Sequence, residues 1–158
     1  MIAVENQVVI QPVSVAAIFD APNSSDLFQA NAAECLVPGA QPQRAIYDAM
    51  ERAGVIMCFA AYSGSILIGF ISVICTVMPH LGKRVATIES VFVDSEYRST
   101  GAGNLLLDAA EQYAVNAGCI AITEATLVGS GMEKILSRRV GYRQTHSMHT
   151  KWLAGGPA

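Results

Sequence analysis

Six residues in the second half of the chain, Arg98-Ser99-Thr100-Gly101-Ala102-Gly103, have the types and spacing of an anion cradle. An apolar run closes at Val93, a short polar stretch follows, and the Gly101-Ala102-Gly103 turn opens a segment with helical periodicity. Glycines here leave the backbone N–H groups of a first helical turn uncovered, at the positive end of the helix dipole. A phosphate or pyrophosphate is the natural guest of such a turn. Two rival motifs are excluded: Leu106 stands where a dinucleotide fingerprint needs its third glycine, and no Gly-Lys-Ser/Thr is present for a P-loop. On the glycines alone, a tight strand-to-helix turn with no ligand is an equal reading.

The second chemical feature is Glu89, which interrupts an apolar strand read from Val85 to Val93. Period-2 alternation puts it on one face with Val91 and Val93, where partial desolvation would raise a carboxyl pKa toward that of a general base. The alternative is a salt-bridged glutamate on the sheet surface. His80 is a second base candidate, more simply read as an exposed loop histidine. His146 and His149, three apart in an extended segment, face opposite sides and make poor metal ligands; no metal is expected. The four cysteines, Cys35, Cys58, Cys75 and Cys119, contain no CxxC pair. The last three have mostly apolar neighbours, and all four are read as buried free thiols of a reducing compartment.

These residues need elements to hold them. Gln7 to Val13 reads as a short strand, Asp26 to Val37 as a helix broken by Pro38-Gly39, and Pro42 to Arg52 as a second helix with Ile46, Met50 and Ala53 on one face. Between Arg52 and Lys83 lie 30 uncharged residues, long enough for a membrane span. The turn cluster Tyr62-Ser63-Gly64-Ser65 interrupts them at their centre, which predicts a hairpin of two buried strands instead. A helix follows from Gly101 to Gly118, then a strand over Cys119–Thr126. Ser130-Gly-Met-Glu133 is a capping box for a last helix, and Tyr142 to Leu153 reads as a final strand. The order predicts one α/β domain over 1–153 with a loose tail at 154–158.

The 158 residues and their 52% hydrophobic share suit one domain, and a charged fraction of 15% excludes extensive disorder. A net charge of −3 argues against a nucleic-acid footprint. Residues 1–80 carry a net −4 and residues 81–158 a net +1, so an anionic ligand is expected in the second half and a cationic or neutral one in the first. No basic stretch precedes an apolar one at the N-terminus, so no signal peptide is read and a cytoplasmic location is expected.

Arg98-x-x-Gly101-x-Gly103 resembles the Arg/Gln-x-x-Gly-x-Gly/Ala signature of the GNAT superfamily, which moves acetyl groups from acetyl-CoA to amines. Ile88-Glu89-Ser90 and Val91-Phe-Val-Asp94 resemble the strand before that signature, Ile68-Gly69 the glycine of an earlier strand, and Val140-Gly141-Tyr142 the family's Gly-Phe/Tyr ending. The resemblance covers roughly residues 55–153. It implies a mixed, mostly antiparallel central sheet flanked by about four helices, with acetyl-CoA as co-substrate.

Carried onto this sequence, the resemblance implies a pantetheine platform at Val91, Phe92 and Val93. It implies a pyrophosphate cradle at Ser99, Thr100, Gly101, Ala102, Gly103 and Asn104, shaped or contacted by Arg98. Lys134, Arg138 and Arg139 either add attraction or form a solvated helical face. Ser130, where the family often has Asn, is a cofactor hydrogen-bond partner or only an N-cap. Glu89 is the base candidate. Ser137 stands where many members have a tyrosine that protonates the leaving thiolate, so an acid there would act only through water or hydrogen bonding.

The expected activity is N-acetylation of a small-molecule or peptide amine. Neither nucleic acid nor membrane is an expected partner, and a homo-oligomer is compatible with the sequence. The departure at Ser137 keeps a non-catalytic acyl-CoA-binding module as the alternative. A membrane or interaction protein built on residues 53–82 is a third reading.

Overall fold

The computed structural model describes residues 7–37 and 39–154. Strand β1 (Val8–Val13) runs into three helices, α1 (Val15–Phe19), α2 (Ser24–Glu34) and α3 (Arg44–Arg52). Then come β2 (Ile56–Ser63), β3 (Ile66–Met78) and β4 (Lys83–Val93). A 3-10 helix (Ser95–Thr100), α4 (Ala102–Asn116), the two-residue β5 (Ile122–Thr123) and α5 (Gly131–Arg138) complete the order. The five strands form one sheet in sequence order; the first four are antiparallel and β5 is parallel to β4. This is the mixed, mostly antiparallel sheet expected; among the described residues five α-helices flank it, one more than the four or so expected.

The sheet is buried on both faces, and that explains the long apolar runs. On one face Leu106, Leu107, Ala110 and Ala114 of α4 pack on Ile68, Ile71, Val73, Ala86 and Ile88. On the other, Val15 and Ile18 of α1 and Leu27 of α2 pack on Cys58, Ala60, Phe70 and Phe92. A strand with helices on both sides has no solvent face to alternate with, so β3 reads as one unbroken hydrophobic stretch. The hairpin β2–β3 settles the uncharged 53–82 segment. Among the described residues no helix is long and apolar enough to cross a membrane.

Several expected elements differ. α1 was not anticipated: Ser14 caps it by accepting a hydrogen bond from the Ala17 N–H (3.2 Å), and five residues are too few to show periodicity. α2 ends at Glu34 rather than Val37, ahead of Pro38, which lies outside the described residues. α3 starts at Arg44, two residues past Pro42, and Ile46 of its expected inner face is exposed. The strand read over Cys119–Thr126 shrinks to Ile122–Thr123. Tyr142–Leu153 forms no strand: residues 143–153 are exposed and irregular, because a two-residue β5 offers no edge long enough to pair with. Of the tail at 154–158, only Ala154 lies within the described residues. Cys58 and Cys75 are buried free thiols as expected, whereas Cys119 is half-buried and Cys35, at the α2 C-cap, is exposed.

Candidate active site

The glycine turn forms where β4 hands over to α4. Gly101 adopts φ +84°, a left-handed conformation that resists any side chain, and so lets the chain reverse from the 3-10 helix into α4. No side chain caps α4; its first helical closure is from the Leu105 N–H to the Gly101 carbonyl (3.1 Å). The N–H groups of Gly103 and Asn104 thus belong to the first turn, which has no intrahelical acceptors for them. At Gly103 an added Cβ would come within 3.9 Å of Val93 Cγ2, so the missing side chain opens the space between the turn and the strand end. Thr100 stiffens the turn: its hydroxyl donates to the Tyr97 carbonyl (2.6 Å) and accepts from the Ala102 N–H (3.4 Å).

β5 pairs with β4 only at Ala86 and Thr87. Past Thr87 the outer edge of β4, including Val91–Val93, carries no ladder to β5 and can receive an extended ligand by main-chain pairing. Arg98 takes a structural part here. Its Nε donates to the Val93 carbonyl (3.0 Å), its guanidinium lies over the Phe92 ring, and Nη2 binds both oxygens of Glu34 (2.7 and 2.9 Å). It ties the end of β4, which leads into the glycine turn, to α2.

Across the gap, Asn104, Lys134, Ile135, Arg138 and Arg139 line a basic cleft of about 370 Å³ between the α4 N-terminus and α5. Arg139 is bound to Glu111 and, second, to Asp108, which raise its pKa and hold its guanidinium charged. Lys134 and Arg138 line the same cleft from α5, beside the cradle. Ser130 is the N-cap of α5, accepting from the Glu133 N–H (3.1 Å), while the Glu133 carboxylate accepts from the Gly129 N–H, one residue before the N-cap N–H that the expected capping box would use. Ser137 is exposed and donates to the Lys134 carbonyl of its own helix (2.9 Å).

Glu89 occupies a place the strand alternation misassigned. Ser72 pairs with Ser90 and Val73 with Ile88, so Glu89 is the extra residue of a β-bulge. The bulge shifts parity by one. Val91 and Val93 join the α4 face, but Glu89 turns to the α1–α3 face with Ser72 and Ser90. It is also exposed rather than desolvated. Its carboxylate accepts from the Ser72 hydroxyl (2.7 Å) and from the Tyr47 hydroxyl (2.9 Å to each oxygen). Burial first, then Glu89, raises the Tyr47 hydroxyl pKa, so it stays a donor. A cleft of about 250 Å³ lies in front of this trio.

Tyr47 and Ser72 escaped the sequence reading: Ser72 is one hydroxyl inside an apolar strand, and Tyr47 sits on a polar helix with nothing local to link it to Glu89. So did Glu124, just past β5. Among the described residues its Oε2 is buried without a hydrogen-bond partner, as is the Tyr142 hydroxyl. Burial, and secondarily Glu89, pushes the Glu124 carboxyl up to about 8. Burial and then Glu111 push Tyr142 up to about 12. His80 lies in the β3–β4 turn, and His146 and His149 lie in the exposed C-terminal segment.

The free outer edge of β4, the carboxylate on its bulge and the glycine turn into α4 thus follow one another along a single strand and the turn that continues it. The chain belongs to the GNAT acetyltransferase family, whose pattern it matches over residues 25–130. No curated protein matches it by sequence. Among solved structures it is similar to an aminoglycoside acetyltransferase from an uncultured soil metagenomic sample in complex with sisomicin. That pair shares 14% identity and a TM-score of 0.72 over 95% of this chain and 99% of that one. It is likewise similar to AAC(6')-Iy in complex with the bisubstrate analogue CoA-S-monomethyl-acetylneamine (16%, TM-score 0.69, 92% and 97%). A third is ribosomal-protein-alanine N-acetyltransferase from Brucella melitensis biovar Abortus 2308 (17%, 0.67, 92% and 99%). At these identities the likeness is one of fold.

Proposed function

We propose that this protein transfers the acetyl group of acetyl-CoA to the nitrogen of a small-molecule or peptide amine by direct attack. The observation that carries the reading is the β4 bulge. One strand presents Glu89 to an open cleft on one face, while its free outer edge leads into the Gly101–Gly103 turn. The cradle fits the co-substrate: first-turn N–H groups for the pyrophosphate, no Cβ at Gly103, and Lys134 and Arg138 alongside. Acetyl-CoA would supply an activated acyl group as a thioester.

The amine arrives as an ammonium and must lose a proton before it can attack. Glu89, held by Tyr47 and Ser72, accepts that proton directly or through one water, and its charge orients the ammonium first. Ser99, Thr100, Gly101, Ala102, Gly103, Asn104 and the Val91–Val93 edge position the acyl donor. Ser137, bonded within α5, stabilises the departing thiolate only through water, and Ser130 acts as a helix cap. The buried free thiols Cys58 and Cys75 suit a reducing, cytoplasmic setting.

The test is thiol release from acetyl-CoA against an amine panel, with wild type and Glu89→Gln followed across pH. We expect the variant to lose roughly a hundredfold in kcat near neutral pH, the deficit shrinking as pH rises and the amine deprotonates unaided. A flat ratio across pH removes Glu89 as the base. Tight acetyl-CoA binding without thiol release to any amine identifies a non-catalytic acyl-CoA-binding module instead.

A further inference from the structure

The fold neighbours that bind aminoglycosides suggest a polycationic acceptor, and the net −4 of the first 80 residues points the same way. The placement of the charges does not. Asp20 and Asp48 both pair with Arg44, Glu34 pairs with Arg98, and Glu51 accepts from the Val15 N–H (2.8 Å). Of the charged groups among the described residues, Glu89 alone lines the cleft in front of the bulge. One wall is apolar and largely aromatic, built from Ile18, Phe19, Phe28, Phe70 and the ring of Tyr47, while Asn31, Gln41, Ser72 and Ser90 add neutral polar groups elsewhere in the lining.

Those rings form one connected wall. Phe19 contacts Phe28 (centroids 4.9 Å) and Tyr47 (5.7 Å), and Phe28 meets Phe70 edge-on (5.7 Å). Offset and edge contacts of this kind leave ring faces and edges for a further aromatic or branched aliphatic group. The volume of about 250 Å³ is enough for one ring on a short arm. A second or third ammonium on the same guest would find no second carboxylate lining the cleft, only neutral polar groups or the aromatic wall, so each additional amine gives up water without a counter-charge.

We infer that the acceptor is a monoamine on one compact apolar body, with the ammonium at Glu89 and the body against the Phe19–Phe28–Phe70 wall, and not a polyamine or amino sugar. This rests on the acetyl-transfer reading above and narrows it. Cys35 lines the same cleft and is exposed, which makes its alkylation a reporter of occupancy that needs no turnover.

The experiment uses three probe amines, 2-phenylethylamine, putrescine and neamine. It measures kcat/KM with acetyl-CoA and, separately, protection of Cys35 from iodoacetamide by peptide mass spectrometry. We expect kcat/KM at least tenfold higher for 2-phenylethylamine than for either other amine, and slower Cys35 labelling with it alone. Phe28→Ser should raise its KM about tenfold and leave acetyl-CoA affinity unchanged, which also reports that the variant is folded. Preferential turnover of putrescine or neamine overturns the inference while leaving acetyl transfer intact. Protection by 2-phenylethylamine alone with no turnover of any amine upholds the ligand class and defeats the acetyl-transfer reading. Absence of protection by all three overturns the inference.

Discussion

Glu124→Gln isolates a buried proton. In the folded protein burial, and then Glu89, holds the Glu124 carboxyl up at about 8, and its Oε2 is buried with no partner among the described residues. In the unfolded chain it titrates near the ordinary 4.5. Between those values the folded state keeps a proton that the unfolded state has released, so stability falls as pH rises. The contribution is fully present below about 4.5 and is lost progressively until pH passes 8, above which it is constant.

One proton corresponds to about 1.4 kcal/mol per pH unit, so the interval amounts to on the order of 5 kcal/mol, a large share of a small domain's stability. Glutamine carries no titrating proton. Its curve should lack this slope, and any cost of the buried amide enters as an offset independent of pH. The assay is urea unfolding of both proteins by circular dichroism at pH 5, 6, 7 and 8. The expected result is a stability difference that moves steadily in favour of the variant as pH rises. Parallel curves would refute the argument, because they would mean that Glu124 ionises in the folded protein as freely as in the unfolded chain.

The glycines should separate by the reason each is needed. Gly69→Ala places a Cβ 2.7 Å from the Phe92 carbonyl oxygen, so the β3–β4 pairing must shift, at about 1–3 kcal/mol in urea unfolding. Gly103→Val, with only Val93 Cγ2 near and at 3.9 Å, should fold yet lose acetyl-CoA binding by calorimetry; unchanged affinity removes the turn from the cofactor site. Ser137→Ala breaks only a bond to its own helix and should lower kcat about tenfold or less; a loss as steep as that of Glu89→Gln would make the serine a catalytic group.

Much of the cradle is legible in the sequence because its causes are local. Gly101 needs a left-handed turn, Ser130 and Glu133 satisfy N–H groups three or four residues away, and Tyr62–Ser65 forces a hairpin; each is decided within a few residues. The apolar runs likewise identify strands buried on both faces. What the string could not show depends on pairing between distant segments. The bulge that turns Glu89 away from Val91 and Val93 exists only in the register of β4 against β3. Tyr47 and Ser72 reach its carboxylate from 42 and 17 residues away. The acids of the first half could be counted but not placed: the fold binds Asp20, Asp48 and Glu34 in ion pairs, and the carboxylate it sets at the aromatic cleft, Glu89, comes from the second half. Local backbone preference is written residue by residue, whereas strand register and charge pairing minimise a free energy over the whole packed chain. Tertiary structure therefore decided which face held the base and what its surroundings can accept.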